Sequence, residues 1–192
     1  MQIKMKKYLL ILLSQLVFSQ VAQNQNNIFY AKEFSKEISL YKAKSFVVDD
    51  LLGASNAFVK FEIDPLAATA SGELTSLVYK CEELNKEGLI LGFYGDYWNT
   101  AGVVYQGYGF KNLPKEKALE LLQKLEEAKA NFNKYLSDDT DNNNIYFTYD
   151  DLTFLIYKSS ETRIRVFWKT FDAEWQDIAF KRTKRRFEKK VK

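Results

Sequence analysis

The chain has 192 residues, of which 46% are apolar and 16% aromatic, and its formal net charge is +3. This composition excludes a disordered chain and is sufficient for a substantial hydrophobic core. The absence of histidine excludes Ser-His-Asp, Cys-His and HExxH chemistry, so an enzyme would depend on carboxylates, Tyr, Lys or Arg. The single cysteine, Cys81, excludes an internal disulfide and is expected to be a small buried residue.

The N-terminal residues have the three parts of a bacterial signal peptide. Three lysines precede an apolar stretch over residues 8–18, and small or modest residues follow it. A membrane-spanning helix needs about 20 apolar residues, roughly twice the length of this stretch. The sequence therefore predicts a cleaved signal peptide over residues 1–19, a new N-terminus at Gln20, and export to the periplasm or the exterior.

The remaining residues, 20–192, fit a single domain. Their charge is unevenly distributed, because residues 181–192 carry +7 whereas residues 20–180 carry −7. A lipid anchor would need a cysteine directly after the signal segment, and Cys81 lies far downstream. We therefore expect an exported chain that is not lipid-anchored and is formally neutral, with an acidic body and a basic tail.

The first half of the chain predicts one short helix followed by strands. Apolar residues at spacings of three to five favour a helix within residues 29–46. Residues 55–64 alternate between apolar and polar side chains, as a half-buried strand does, and Pro65 is expected to end that strand. Three further strands are predicted, over residues 74–82, 89–94 and 102–110.

The second half predicts a long helix, more strands and a basic helix. An apolar stripe at helical spacing predicts a helix over Pro114–Leu136, whose first turn suits proline. Short strands joined by turns favour antiparallel pairing. The predicted fold is therefore α+β: an antiparallel sheet of about six strands packed by one long helix, plus a basic C-terminal helix. The later elements are strands over residues 145–149, 152–158 and 163–171, and a helix from Ala173 onwards.

A predicted hairpin over residues 89–110, with its turn at residues 96–99, interleaves aromatic residues with five glycines. Rings with a polar tip bind sugars, peptides and other amphipathic ligands, and neighbouring glycines leave their faces accessible. Aromatic residues are also good strand formers, so a purely structural role stays open. The candidate ligand-binding residues are Tyr94, Tyr97, Trp98, Tyr105 and Tyr108.

A polar segment after the long helix offers oxygen ligands at alternate positions. Asp139, Asp141 and Asn143 occupy positions 1, 3 and 5 of a twelve-residue frame, and Asp150 occupies position 12. This spacing resembles a calcium loop of the EF-hand kind, and Ca²⁺ is the one candidate cofactor. The frame has Asn144 instead of glycine at position 6, Asp instead of Glu at position 12, and a strand predicted after it. The same residues suit a polar helix-to-strand loop, so both interpretations stay open.

The basic tail has three candidate roles. A helix carrying Phe180, Phe187 and Val191 would suit an anionic membrane surface, docking on the acidic body, or a solvated helix end. Nucleic acid is not an expected partner, because export would separate the protein from cellular nucleic acid and the acidic body would repel the phosphate backbone.

These features predict an exported, non-enzymatic binding or structural protein, with glycans, peptides or lipids as candidate ligands. The alternative function is a carboxylate-based hydrolase acting on glycans or cell-envelope material. Such an enzyme needs a second acid about 5–10 Å from Asp96, whereas a binding module presents an aromatic face without that pair.

Overall fold

The structure is a computed structural model that describes residues 28–30, 36–98, 101–140 and 142–192. The predicted signal peptide, residues 1–19, lies outside the described residues. Within the part of the chain that is described, no helix is long and apolar enough to cross a membrane.

Two antiparallel sheets contain the strands of the described residues. The large sheet has strands β1 (Ile28–Tyr30), β2 (Glu62–Ala68), β3 (Leu74–Cys81), β4 (Lys86–Trp98) and β5 (Val104–Pro114). The small sheet has strands β6 (Asn144–Tyr149), β7 (Leu152–Lys158), β8 (Thr162–Trp168) and β9 (Phe171–Trp175). Their spatial orders are β1-β5-β4-β3-β2 and β6-β7-β8-β9. The α+β class and the antiparallel pairing are thus confirmed, whereas two sheets replace the predicted single sheet.

The described ranges also contain four helices: α1 (Lys36–Phe46), α2 (Lys115–Asn131), α3 (Asn133–Asp138) and α4 (Asp177–Lys190). A π-helical segment, Val47–Leu52, follows α1. The single long helix predicted over Pro114–Leu136 is divided in the structure: α2 ends at Asn131, and the short helix α3 follows Phe132, which is 46% exposed. The predicted apolar stripe of this helix faces the core, with buried side chains at Ala118, Leu121, Leu122, Leu125 and Leu136.

Strand β2 differs from its prediction at both ends. It begins at Glu62 and continues through Pro65, which pairs with Leu77 of β3. A proline fits here because β2 is the edge of the large sheet, where a missing N–H leaves no partner strand unpaired. A β-bulge lies between Pro65 and Ala67, so the strand passes the proline instead of ending at it.

Two further boundaries also differ from the prediction. The turn predicted at residues 96–99 lies further along the chain, because β4 continues to Trp98, which pairs with Val104. The predicted terminal helix begins later, at Asp177, because the chain first reverses at Lys169 (φ 54°) and adds β9 to the small sheet. Phe171, Ala173 and Trp175 alternate towards the core, as strand residues do.

The main hydrophobic core lies between one face of the large sheet, one face of the small sheet, and helices α2 and α4. The two sheets meet at aromatic rings: the Phe93 ring lies 5.2 Å from that of Trp168 and 5.9 Å from that of Phe171. Cys81 is 1% exposed, so its expected burial is confirmed.

A second, smaller core covers the opposite face of the large sheet, beneath α1 and the π-helical segment. Its buried members include Phe46 from α1 and Tyr108 and Phe110 from β5. The large sheet is therefore covered on both faces, and the candidate site lies on the α1 face.

Candidate functional site

Tyr94 and Tyr108 of the predicted aromatic hairpin lie side by side on the α1 face of the large sheet. They are directly paired across β4 and β5, and their ring centroids are 5.1 Å apart. The Tyr94 hydroxyl donates a hydrogen bond to Gln106 Oε1 at 2.9 Å. Tyr108 is 3% exposed, and burial raises the pKa of its hydroxyl. The buried Tyr108 ring stacks parallel to that of Phe110, 6.4 Å away.

The other three candidate residues lie at the far end of the same hairpin. The backbone register pairs Tyr97 with Tyr105, and Trp98 with Val104. The side chains of Tyr97, Trp98 and Tyr105 lie outside the described part of the structure. Their predicted role in ligand binding stays a prediction.

A cavity of about 620 Å³ opens next to Tyr94 and Tyr108, between α1 and the large sheet. This volume lies within the range of about 300–1,000 Å³ that small-molecule sites occupy. Most of its wall is apolar, and no Asp or Glu lines it among the described residues. The apolar wall includes Leu40, Pro65, Leu66, Leu77, Tyr94, Tyr108 and Phe110.

Gly92 forms part of the floor of this cavity. It is paired with Thr75 of β3 on one side and with Phe110 of β5 on the other. A Cβ placed on Gly92 would lie 3.1 Å from Phe110 Cε1, closer than an ordinary carbon–carbon contact of about 3.5–4.0 Å. The glycine therefore leaves room for the Phe110 ring.

Besides Thr75 and the two tyrosines, the β2–β3 turn and α4 contribute polar groups to the cavity. Thr69 Oγ1 accepts a hydrogen bond from the Leu74 amide at 3.2 Å, and it lies 3.3 Å from Ser71 Oγ. Arg186 of α4 reaches around the edge of the large sheet, where its guanidinium donates a hydrogen bond to the Leu66 carbonyl at the β-bulge. Arg186 is the one charged side chain among the described residues that line the cavity.

The candidate calcium ligands are not all brought together. Asp150 follows β6, whose six residues span about 20 Å, so this strand separates it from the loop that carries Asp139 and Asn143. Its carboxylate accepts hydrogen bonds from Lys111 at 2.7 Å and Lys117 at 3.2 Å, which hold the pKa of Asp150 below its usual range.

The loop itself is held by amide contacts. Asp139 Oδ2 accepts a hydrogen bond from Asn142 at 2.9 Å, and Asn143 Nδ2 donates one to the Tyr135 carbonyl at 2.6 Å. Asp141 lies outside the described residues. Among the residues that are described, no three His, Cys, Asp or Glu side chains form a group able to hold a metal ion. Calcium binding by the loop stays a prediction, and a comparison of melting temperatures in millimolar Ca²⁺ and in EDTA tests it.

The basic tail is docked on the body of the protein through α4. Phe180, Phe187 and Val191, the apolar residues considered for a membrane-binding face, are buried in the main core. Lys184 pairs with Glu126 at 2.6 Å, and Lys190 forms an ion pair with Asp64. Of the three roles considered for the tail, docking on the acidic body is thus the one with direct contacts.

Five cations of the tail take no part in the ion pairs of the described residues. Arg186 is hydrogen-bonded to the Leu66 carbonyl, and the other four are Arg182, Arg185, Lys189 and Lys192. Arg182, Arg185 and Lys189 are three and four residues apart, which places them along one exposed side of α4, and Lys192 follows the end of the helix. The outward face of α4 is therefore a row of positive charge.

Asp96, the acid considered for the hydrolase alternative, is exposed on β4 and is paired with Gln106 on β5. It does not line the cavity described above.

Comparison of the chain with protein-family models, curated proteins and solved structures returns no match.

Sequence reasoning identified Tyr94 and Tyr108 but missed the rest of the cavity. Leu77 and Thr75 belonged to a predicted strand, but alternation does not reveal that their face borders an open space. Arg186 was placed in the basic tail, where nothing in the sequence connects it with Leu66, 120 positions earlier. The proline within β2 was the one available signal for the irregular edge strand that Arg186 contacts.

Proposed function

We propose that this chain is a non-enzymatic binding protein that holds a small, mainly apolar ligand in the cavity between α1 and the large sheet. The observation that carries the proposal is the cavity itself, with a volume of about 620 Å³ and a wall of aliphatic and aromatic side chains. Sites for small molecules are typically concave, mainly apolar and formed before the ligand arrives.

The floor of the cavity supports a preformed site. Thr75, Gly92 and Phe110 lie in one row across three paired strands, so the sheet fixes their relative positions. Phe110 is further held from above by Phe46 of α1, whose ring lies 5.5 Å away in a stacked arrangement. A ligand placed against this floor would lose little affinity to the ordering of side chains.

A neutral fluorescent dye, N-phenyl-1-naphthylamine, tests this proposal, because its emission rises in apolar surroundings. We expect saturable binding of the dye to the native protein and a higher melting temperature in its presence. Ala68→Phe places a large ring at an exposed position of the cavity wall and should remove most of the dye binding. Ala130→Phe makes the same change on the exposed side of α2, away from the cavity, and should leave binding unchanged. Equal dye binding by both variants would contradict the proposal.

The hydrolase alternative has less support than a binding function. The described residues that line the cavity include no Asp or Glu, and Asp96 lies on an exposed part of β4. A carboxylate-based hydrolase needs two acids on opposite sides of its substrate. Hydrolysis of a glycan panel that disappears in Asp96→Asn would favour the enzyme over the binding protein.

A second candidate function is attachment to an anionic membrane surface, which the row formed by Arg182, Arg185, Lys189 and Lys192 favours. Each basic residue near such a surface contributes about 1 kcal/mol. Because the apolar side of α4 is buried in the core, this attachment would be electrostatic, without insertion of the helix. Sedimentation with vesicles rich in phosphatidylglycerol should therefore be strong at low salt and weak at high salt, and absent with phosphatidylcholine vesicles. Sedimentation that is insensitive to salt would refute it.

A further inference from the structure

Apart from the hydroxyls of Thr75, Tyr94 and Tyr108, the polar side chains of the cavity lie at one end. Thr69 and Ser71 lie in the turn between β2 and β3, and Arg186 contacts Leu66 on β2, so these three side chains lie at the edge of the large sheet. Tyr108 and Phe110, on β5, form the aromatic end. Neighbouring strands are about 4.8 Å apart, so three spacings separate the two ends by about 14 Å.

Arg186 has donors beyond the one that it uses in the fold. A guanidinium carries five N–H donors, and one of its amino groups binds the Leu66 carbonyl. None of the ion pairs of the described residues involves Arg186, whereas the nearby Asp64 carboxylate pairs with Lys190. Arg186 is exposed and has no ion pair with an acid of the described residues, so its positive charge borders a mainly apolar cavity.

The floor between the two ends offers a path for an extended chain. Ala68, Thr75, Gly92 and Phe110 are paired in sequence across β2, β3, β4 and β5. Gly92, at the middle of this row, has no side chain to obstruct the path. A linear apolar group can therefore lie across the strands, from the edge at β2 towards Phe110.

We propose that the ligand is a single-chain amphiphilic anion, such as a fatty acid, whose carboxylate binds Arg186 and whose alkyl chain lies over Gly92 towards Phe110. This inference rests on the proposed binding function and specifies its ligand class. Arginine suits a carboxylate because its planar fork donates two parallel hydrogen bonds. An uncharged ligand would leave that charge without a partner, whereas a carboxylate would neutralise it.

Two ligands with the same tail and different heads test the inference. Dodecanoate and dodecan-1-ol are titrated against the protein loaded with N-phenyl-1-naphthylamine, and the displacement of the dye is measured. We expect dodecanoate to compete about 10- to 100-fold better than dodecan-1-ol, which is the range of a hydrogen bond to a charged group. This comparison uses the unaltered protein, so it does not depend on the folding of any variant.

Variants then locate the anion. Arg186→Gln should reduce the affinity for dodecanoate to about that of dodecan-1-ol, and Arg186→Lys should keep part of the preference because it keeps the charge. Arg185→Gln removes an exposed charge of the same helix that does not line the cavity, and it should keep the full preference.

The outcomes separate this inference from the function on which it rests. If neither compound displaces the dye and the dye itself does not bind, the proposed binding function fails. If both compounds displace the dye equally well, the cavity binds apolar ligands and the anion inference is overturned. A preference for dodecanoate that persists in Arg186→Gln also overturns it, because the carboxylate would then be bound elsewhere.

Discussion

Gly109→Ala tests how closely the two sheets approach each other. Gly109 lies on β5 beneath the aromatic rings of the small sheet, and a Cβ at this position would lie 2.6 Å from Phe171 Cε2 and 2.7 Å from Trp168 Cζ3. Both distances are about 1 Å shorter than an ordinary carbon–carbon contact. The Trp168 ring cannot easily move away, because its Nε1 donates a hydrogen bond to Asp151 Oδ2 at 2.8 Å.

We expect this substitution to lower the free energy of unfolding by about 1–3 kcal/mol, the usual cost of an overpacked core. In a protein of this size, that loss lowers the melting temperature by about 2–4 °C for each kcal/mol. Urea denaturation followed by tryptophan fluorescence gives the free energy, and the denaturant dependence should not change, because the surface exposed on unfolding stays the same.

Gly95→Ala is the matched control, because Gly95 faces the same ring of the small sheet at a greater distance. Its added Cβ would lie 3.9 Å from Phe171 Cδ1, an ordinary contact. This variant should be neutral or more stable by about 0.4–1 kcal/mol, since alanine restricts the unfolded chain. If Gly109→Ala and Gly95→Ala have equal stability, the close approach of the sheets at Gly109 is refuted.

Three further predictions concern other parts of the chain. Lys111→Met should destabilise the protein by about 1 kcal/mol at neutral pH. The pKa values of Asp150 and Asp151 are lowered in the fold, so their contribution is full above the usual aspartate pKa of about 4 and is lost as the pH falls through the lowered values. The difference from the unaltered protein should therefore shrink as the pH falls below about 4, and a pH-independent difference in urea midpoints would contradict this. Cys81 should react with a thiol reagent only after unfolding, because its side chain is 1% exposed, and rapid labelling of the native protein would contradict its burial. Mass spectrometry of the mature protein, expressed in a bacterium with segment 1–19 in place, should give Gln20 as the first residue, and a retained segment 1–19 would refute the predicted cleavage.

The parts of the fold that the sequence predicted are those set by local periodicity. The apolar stripe of α2 and the alternation of Ile164, Val166 and Trp168 in β8 both appear as buried faces. Periodicity shows which face of a strand is buried, but it does not show which element covers that face. The division into two sheets therefore could not be read from it, since it depends on contacts such as that between Gly109 and Trp168.

In the candidate site, too, the sequence predicted the residues that are close together along the chain and missed those that only the tertiary fold brings together. Tyr94 and Tyr108 were predicted together because they share one hairpin. Arg186 was not connected with them, because its position depends on the bulge beside Pro65 and on the docking of α4 against the edge of the large sheet. A helix in the basic tail was predicted, but its contact with a backbone carbonyl of β2 requires the tertiary fold.

Alternate residues of strands β4 and β5 point to opposite faces of the large sheet. Phe93 and Gly109 face the small sheet, whereas Gly92 and Phe110, their neighbours in sequence, face the cavity. A shift of one residue in the pairing would exchange these sets and bring side chains into both spaces that the glycines leave open. The cavity depends on the pairing register of β4 and β5. The close packing of the two sheets therefore also maintains the cavity, although the rings of the small sheet lie on the other face of the large sheet.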